Sequence, residues 1–161
     1  MAVDLKLKYD SDLKAGDLGT TAAAGDFDGE DGLESAVFIS LFTDKRARDD
    51  QELPDPQSDD RRGYYGDQIS PVETGDEEGS WIWLYWERAK TTEGVMELIR
   101  QAAEESLQWM IKDKVAVKIE CEAERIGVPG NDWLQLIVRV YKRDGDVETF
   151  EYDNRWAAQF E

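Results

Sequence analysis

Periodic apolar positions divide the second half of the chain into one helix followed by three strands. Thr92 is the predicted N-cap of the strongest helix, whose apolar stripe contains Val95, Ile99, Ala102, Ser106 and Met110. The next segment alternates in strand fashion, with its apolar side chains at Val115, Val117, Ile119, Cys121 and Ala123. A second strand carries Leu134, Leu136, Val138 and Val140, and a third is predicted from Val147 to about Asp153.

Short turns are predicted between these strands. Residues 128–132 contain Pro129 and Gly130 and predict the first turn. Asp144-Gly145 is typical of a two-residue hairpin loop, which would pair Val140 with Thr149 and put Phe150 on the other face. One extra residue would reverse the faces. Either way we expect an α+β fold, with one long amphipathic helix packed on a three-stranded antiparallel meander.

The first half predicts shorter elements and long loops. Leu5 and Leu7, together with Val3, alternate with charged residues as in a short half-buried strand, and residues 10–30 predict a loop or loosely ordered arm. Helical spacing of apolar residues predicts a helix over 32–43. Residues 44–80 contain many prolines and glycines and predict a long surface excursion.

Six consecutive large apolar residues, 81–86, fit a buried helix or a buried strand equally well. Ser80 as a cap and the basic residues Arg88 and Lys90 favour a helix over 81–90. We therefore expect a single domain over 1–161 with three parts. These are a strand and arm (1–31), a helix, long loop and aromatic segment (32–90), and the helix with the meander (91–161).

Composition narrows the partners. The chain carries 37 acidic against 19 basic side chains, a net charge of −18, and residues 1–80 account for −13 of it. Such a surface repels nucleic acid. One cysteine excludes an internal disulfide and fits a reducing cytosol, and no stretch approaches the roughly 20 apolar residues of a membrane span.

The sequence predicts no catalytic, cofactor or metal site, and we expect that the protein is not an enzyme. It has no histidine, which removes the commonest general base and most zinc sites. Asp26, Asp28 and Asp31 resemble half of a calcium loop, but Val37 stands where the bidentate Glu would be. We interpret this string as an acidic loop, and whether it binds a cation stays open.

Arginines near the aromatic segments are the candidate binding residues; they are Arg46, Arg48, Arg61, Arg62 and Arg88. Arginine beside an aromatic side chain is a common interface anchor, and intramolecular ion pairing is the alternative interpretation. The run from Trp81 to Trp86 is interpreted as core or subunit contact.

Four ordered blocks resemble the Mu-like phage tail family known as gene product forty-six, a baseplate component. They are residues 31–47, residues 62–67 (Arg-Gly-Tyr-Tyr-Gly-Asp), residues 79–90 (beginning Gly-Ser-Trp-Ile-Trp-Leu) and residues 106–110 (Ser-Leu-Gln-Trp-Met). The resemblance covers roughly residues 3–140. The chain after Tyr141 is predicted from periodicity alone.

The resemblance implies a structural, non-enzymatic wedge protein of a contractile phage or prophage tail, similar in role to the small wedge protein that nucleates the sheath. It implies other baseplate wedge proteins and sheath proteins as partners, assembly in the host cytoplasm and a final place in the virion baseplate. The candidate partner interface is Arg46, Arg62, Tyr64, Tyr65, Trp81, Trp83 and Arg88. An edge strand of the meander, from Val147 or from Val115, is a further candidate, since it can accept a partner strand.

Two other functions stay open. The first is a small acidic adaptor or inhibitor that covers a basic partner surface. The second is a carboxylate-based hydrolase of cell-wall sugar, for which no pair of the 37 acids is singled out.

Overall fold

The computed structural model describes most of the chain between Asp4 and Asp153. The described residues are 4–5, 7–10, 15–18, 29–30, 32–69, 77–86, 92–128 and 130–153. The acidic loop that contains Asp26, Asp28 and Asp31 lies outside them apart from Gly29 and Glu30, and so do Val3, Arg88 and the rest of 87–90.

Four short strands form two antiparallel pairs near the N-terminus. β1 (Asp4–Leu5) pairs with β4 (Gly29–Glu30), and β2 (Leu7–Asp10) pairs with β3 (Ala15–Leu18). The predicted strand is therefore two strands, and the prediction of a loop throughout 10–30 is wrong at β3 and β4. A glycine-rich and acidic segment gives little alternation, because short strands in a two-stranded ribbon need no buried face.

Helix α1 (Leu33–Phe42) confirms the prediction of a helix over 32–43. It begins after Gly32, whose φ of 87° lies in the left-handed region that favours glycine. Leu33, Val37 and Leu41 face the core. β2 lies beside this helix.

Within residues 44–69 and 77–80, the described part of the excursion after α1, the chain is irregular, as predicted, except for the short helix α2 (Gly66–Ile69). The aromatic segment forms one helical turn, α3 (Trp83–Trp86). Ser80, the predicted cap, lies three residues before the first residue of α3, where its Oγ accepts a hydrogen bond from the Ile82 N–H at 3.1 Å and donates one to the Leu41 carbonyl. Within the described part of the aromatic segment, the prediction of helix over strand is confirmed.

The strongest predicted helix is present but bent. α4 (Glu93–Ser106) starts at Thr92, whose Oγ1 accepts from the Val95 N–H at 3.3 Å, and α5 (Gln108–Lys112) continues it after Leu107. At the bend the Leu107 N–H bonds to the Glu104 carbonyl, and the Met110 N–H to that of Leu107. These three-residue steps tighten the helix and bury Leu107 completely.

Three strands form an antiparallel sheet in the order β5 (Lys118–Val128), β6 (Asn131–Tyr141) and β7 (Val147–Asp153). The predicted start of the first strand at Val115 is wrong. Val115 and Val117 are exposed and Ala116 is buried instead, because the N–H groups of Val115 and Ala116 both turn back to the Met110 carbonyl. Regular alternation begins only at Lys118.

Residues 142–146 separate β6 from β7, and a hydrogen bond between Lys142 and Asp146 leaves a loop of three residues, 143–145, so the two-residue hairpin prediction is wrong. The Lys142 N–H donates to the Asp146 carbonyl at 2.8 Å, and Gly145 has a φ of 96°. Val138 consequently pairs with Phe150, and Phe150 packs against the core on the same face. This is the alternative with one extra residue.

The core lies between the inner face of the sheet and the helices. α4 packs on β5, and α1 and α3 pack on α4. Fully buried side chains from every layer meet there, including Val37, Ile82, Ile99, Leu107, Met110, Leu136, Val138 and Val140. Burial of each Leu, Ile, Val or Met stabilises the fold by roughly 1.5–3 kcal/mol. The α+β prediction is confirmed.

Candidate partner interfaces

The two segments that carry the candidate interface are joined by backbone hydrogen bonds. Residues 43–47 run beside residues 79–80, where the Lys45 N–H donates to the Ser80 carbonyl at 3.0 Å and the Ser80 N–H to the Thr43 carbonyl at 2.9 Å. The Ala47 N–H donates to the Arg61 carbonyl at 2.9 Å, which places Arg61 beside residues 43–47. Segments distant in sequence thus meet at one surface.

Gly79 is required at this junction. Its φ is 95°, and a Cβ built there would lie 2.2 Å from the Thr43 carbonyl oxygen. Gly63, with a φ of 118°, has a similar role because its Cβ would lie 2.9 Å from the Cβ of Arg46. Any side chain at Gly79 would push this residue away from Thr43, and any side chain at Gly63 would push that residue away from Arg46.

Two tryptophans fix the extended segment by their indole nitrogens. Trp81 Nε1–H donates to the Arg46 carbonyl at 3.0 Å, and Trp83 Nε1–H donates to the Lys45 carbonyl at 2.9 Å. The backbone of an irregular segment, which has few partners of its own, is thereby satisfied by side chains.

Cations lie over the same two rings. The guanidinium of Arg48 is 4.3 Å from the Trp81 ring centroid, with Lys45 Nζ at 4.7 Å, and the guanidinium of Arg62 is 4.5 Å from the centroid of Trp83. Arg46 Nη1 donates to the Arg62 carbonyl at 3.4 Å. We name Lys45, Arg46, Arg48, Arg62, Trp81 and Trp83 the arginine–tryptophan surface.

Carboxylates of the same loop pair with these cations. Arg62 Nη1 lies 2.8 Å from Asp44 Oδ2, and Arg48 Nε lies 3.6 Å from Asp50 Oδ1. Both side chains of each pair are well exposed, so each ion pair contributes little stability. Arg48 and Arg62 thus make intramolecular ion pairs, and their side chains are still 60% and 44% exposed.

Tyr64 and Tyr65 form an exposed pair next to Gly63, with ring centroids 5.1 Å apart. Tyr65 is 68% exposed. The neighbouring Tyr65, through its charge and a side-chain hydrogen bond, raises the pKa of Tyr64. The backbone turns closely behind the pair, since a Cβ on Gly66 would lie 2.3 Å from the Tyr64 ring.

Four of the seven predicted interface residues, Arg46, Arg62, Trp81 and Trp83, are therefore brought together. Tyr64 and Tyr65 contact each other beside Gly63, and Arg88 lies outside the described residues. Lys45, whose side chain is only 17% exposed, joins this group, although it is not among the predicted residues. Its position between Asp44 and Arg46, inside the first block of the family resemblance, was the available signal.

The sheet edges form a second candidate interface. No strand in the described part of the chain pairs with the outer edge of β5 or β7. Since Lys142 and Asp146 exchange a ladder hydrogen bond and bonded pairs alternate, the N–H groups of Thr149 and Glu151 point away from β6. The same alternation across β6 directs the N–H of Ala123 toward the free edge of β5.

Charged pairs cover the outer face of the sheet. Hydrogen bonds from Lys118 and Tyr141 to the Glu120 carboxylate lower the pKa of Glu120 and raise the pKa values of its two partners. Arg139 pairs with Glu122 at 3.0 Å. Charged side chains therefore lie along this face, and the backbone edge of β5 beside it has no strand partner among the described residues.

The described residues form neither a cluster of metal ligands nor a membrane-spanning helix. Within those ranges, no group of three or more His, Cys, Asp or Glu side chains is arranged to hold a metal ion. None of the helices described above has the length and apolar character needed to cross a membrane.

Comparison with known proteins finds a matching family model and similar phage proteins. The model of the family described as Phage protein GP46 matches residues 33–147. Baseplate protein gp46 of Escherichia phage Mu is 38% identical over 125 residues, 76% of this chain and 79% of the phage Mu protein. Mu-like prophage FluMu protein gp46 of Haemophilus influenzae is 29% identical over 128 residues, 80% of this chain and 82% of that protein. No solved structure matches this chain significantly.

Proposed function

This chain belongs to the Phage protein GP46 family, and on that premise we propose that it is a wedge protein of a contractile tail baseplate that nucleates the sheath. The phage Mu relative is named a baseplate protein, which supports a structural component of a phage baseplate. The finer role, and the contacts that carry it, rest on the two candidate interfaces. The prediction that the protein is not an enzyme is part of this proposal.

The edge of β5 is the observation that carries sheath nucleation. β5 is 11 residues long, and its outer N–H and C=O groups have no strand partner within the described ranges. An exposed edge of this length adds a strand from another chain readily, because main-chain hydrogen bonds supply affinity without a specific sequence. We propose that a sheath subunit contributes this strand.

The family match favours β5 over β7 as the edge that is used. Residues 33–147 contain the whole of β5 and only the first residue of β7. β7 is also shorter, at 7 residues. The matched residues therefore include all of β5, which supports β5 as the edge that binds a sheath subunit.

We propose that the arginine–tryptophan surface binds a neighbouring wedge protein. Supporting this, its cations are held over tryptophan rings and its loops are fixed by glycines and indole hydrogen bonds, so the surface is preorganised. Preorganised arginine and tryptophan side chains lose little freedom on binding. Assembly would take place in the host cytoplasm, and the finished protein would reside in the virion baseplate.

Proline scanning tests the strand-addition proposal. Ala123→Pro removes an N–H that points to the free edge of β5 and leaves the β5–β6 hydrogen bonds intact, and Thr149→Pro does the same on β7. We expect Ala123→Pro to weaken binding to the sheath protein of the same phage about tenfold or more, since at least one intermolecular hydrogen bond is lost and the strand is displaced.

Ala123→Ser and Thr149→Ser are the matched controls, because both keep the backbone N–H. Binding is measured by surface plasmon resonance, and circular dichroism verifies that each variant is folded. Loss of binding with Thr149→Pro alone would transfer the proposal to β7. Unchanged binding with both proline variants would refute strand addition.

A further inference from the structure

A groove of about 570 Å³ lies between α1 and the bend that joins α4 to α5. One wall is apolar and comes from Ala36 and Ile39 of α1 and from Trp109 of α5. Trp109 Nε1–H donates to Ser40 Oγ at 3.0 Å, which ties the two helices together at the groove. The groove is thus built mainly by the helical layer, does not include the sheet edge, and meets the arginine–tryptophan surface at Lys45.

Two large apolar side chains of this wall are exposed. Ile39 is 43% exposed and Trp109 is 37% exposed, although both helices bury other large side chains in the core. A single exposed apolar residue needs no explanation, but two that line one concave groove mark a binding site.

The rim of the groove is acidic. Four carboxylates line it, from Glu77, Glu78, Glu105 and Asp113, against the two cations Lys45 and Lys112. Lys45 Nζ is already shared between Glu77 at 3.7 Å and Glu105 at 3.8 Å. The carboxylates therefore leave an excess of negative charge beside an apolar wall.

We propose that this groove binds a short basic and apolar segment of another protein, in which a leucine-like side chain packs on Ile39 and Trp109 while flanking lysines or arginines face the carboxylates. Charge decides against a second copy of this chain, since each copy carries −18. The proposal does not rest on the baseplate function, which would still stand if the groove bound no peptide.

The probe is an acetylated and amidated heptapeptide of alternating lysine and leucine, and the comparison peptide has glutamate in place of each lysine. Binding to the full chain is followed by NMR with labelled isoleucine methyl groups. We expect the basic peptide to shift the Ile39 signal and to leave Ile137, on the outer face of the sheet, in place. The acidic peptide should shift neither.

Two matched pairs of variants locate the site. Glu78→Lys should weaken binding of the basic peptide about tenfold, and Glu124→Lys, which makes the same change in net charge on β5, should change it less than about twofold at physiological salt. Ile39→Ser should weaken it about threefold to tenfold, whereas Leu98→Ser, at an equally exposed position of α4 outside the groove, should have no effect.

Sedimentation velocity measures self-association at the same concentrations, and the supporting result is a monomer for the free chain and for the peptide complex. A dimer that Ile39→Ser dissociates would assign the groove to a second copy and overturn the proposal. Equal effects of Glu78→Lys and Glu124→Lys, or no shift at Ile39, would overturn it as well.

Discussion

The helix and meander of residues 92–153 and the loop region of residues 43–86 are stabilised in different ways. In the first, helical stripes and alternating strands bury apolar side chains in one layer. In the described part of the second, Ala47, Ile82 and Leu84 are the buried apolar side chains, and the remaining order comes from indoles, arginines and glycines.

The difference separates stability from recognition. The helix and meander depend on burial, which is large and non-directional, so the exact partner of each side chain matters less. The loop region depends on directional contacts between segments up to 38 residues apart, as in the hydrogen bond from Trp83 to Lys45. Directional contacts place specific side chains at the surface, where a partner protein can bind them.

The largest effect is expected from the core. Leu107→Ala should lower the free energy of unfolding by about 2–5 kcal/mol, because Leu107 is fully buried at the helix bend. Urea denaturation measures this. Leu98→Ala, on the exposed side of α4, is the control and should cost less than about 1 kcal/mol. Similar losses for the two variants would show that the helical layer is not the main source of stability.

The next effect is expected at a loop glycine. Gly79→Ala should destabilise the protein by about 1–3 kcal/mol, since alanine there combines a positive φ with a clash against the Thr43 carbonyl. Gly145→Ala has almost the same φ, and no atom lies within 4 Å of the added Cβ. Gly145→Ala therefore measures the cost of the positive φ alone. Thermal unfolding of both variants gives the additional cost of the clash at Gly79. Equal losses would contradict the close approach at Gly79.

A smaller and local effect is expected from Trp83→Phe. The variant loses the indole hydrogen bond to Lys45 but keeps an aromatic ring under Arg62, so the cost should be about 0.5–1.5 kcal/mol. Hydrogen exchange should quicken in residues 43–48 and stay unchanged in β6. Faster exchange in both regions would mean that the two regions unfold together.

Thiol reactivity tests the helix and meander of residues 92–153 without changing their stability. Burial raises the pKa of Cys121 to about 12, so the thiol on β5 stays protonated at pH 8. A thiol reagent should therefore modify it only as fast as the sheet opens, and at once in urea. Rapid labelling of the folded protein would show that the β5 edge opens far more often than its burial suggests.

The smallest effect on stability is expected at the exposed face of α4. Hydrogen bonds from Arg100 and Gln101 lower the pKa of Glu97 to about 2. Because the pKa is lowered in the folded protein, the stabilisation from these hydrogen bonds is fully present at pH values above the ordinary pKa of glutamate. It is lost as the pH falls toward 2. An NMR titration should give that midpoint, and Arg100→Gln should return it toward the ordinary value. An unchanged midpoint in the variant would assign the shift to another group.

Sequence periodicity was sufficient for most of the helix and meander. The stripe from Val95 to Met110 and the alternation in β6 reflect burial on one face, and burial leaves a regular pattern in the sequence. It failed at Val115 and at the loop after Tyr141, where one residue changes the register. Hydrogen bonds to Met110 and a left-handed Gly145 decide those positions, and neither is periodic.

Prediction in the loop region stopped at composition. The arginines and aromatics were identified as binding candidates, but the pairing of Arg48 with Trp81 and of Arg62 with Trp83 depends on how distant segments meet. Lys45 was missed because nothing in its local pattern distinguishes a partly buried lysine from a solvated one. The family resemblance, confirmed by the match over residues 33–147, connects these residues with a family of phage proteins, which periodicity alone does not do.

The most direct test of the baseplate assignment is the position of this protein in an assembled tail. A fusion carrying an epitope tag at the C-terminus is expressed during phage production, and purified tails are labelled with gold-conjugated antibody and imaged by electron microscopy. We predict gold at the baseplate end of the tail, once the tagged phage is shown to remain infectious. Infectious particles that contain no tagged protein, or that carry gold along the sheath or at the head, would contradict it.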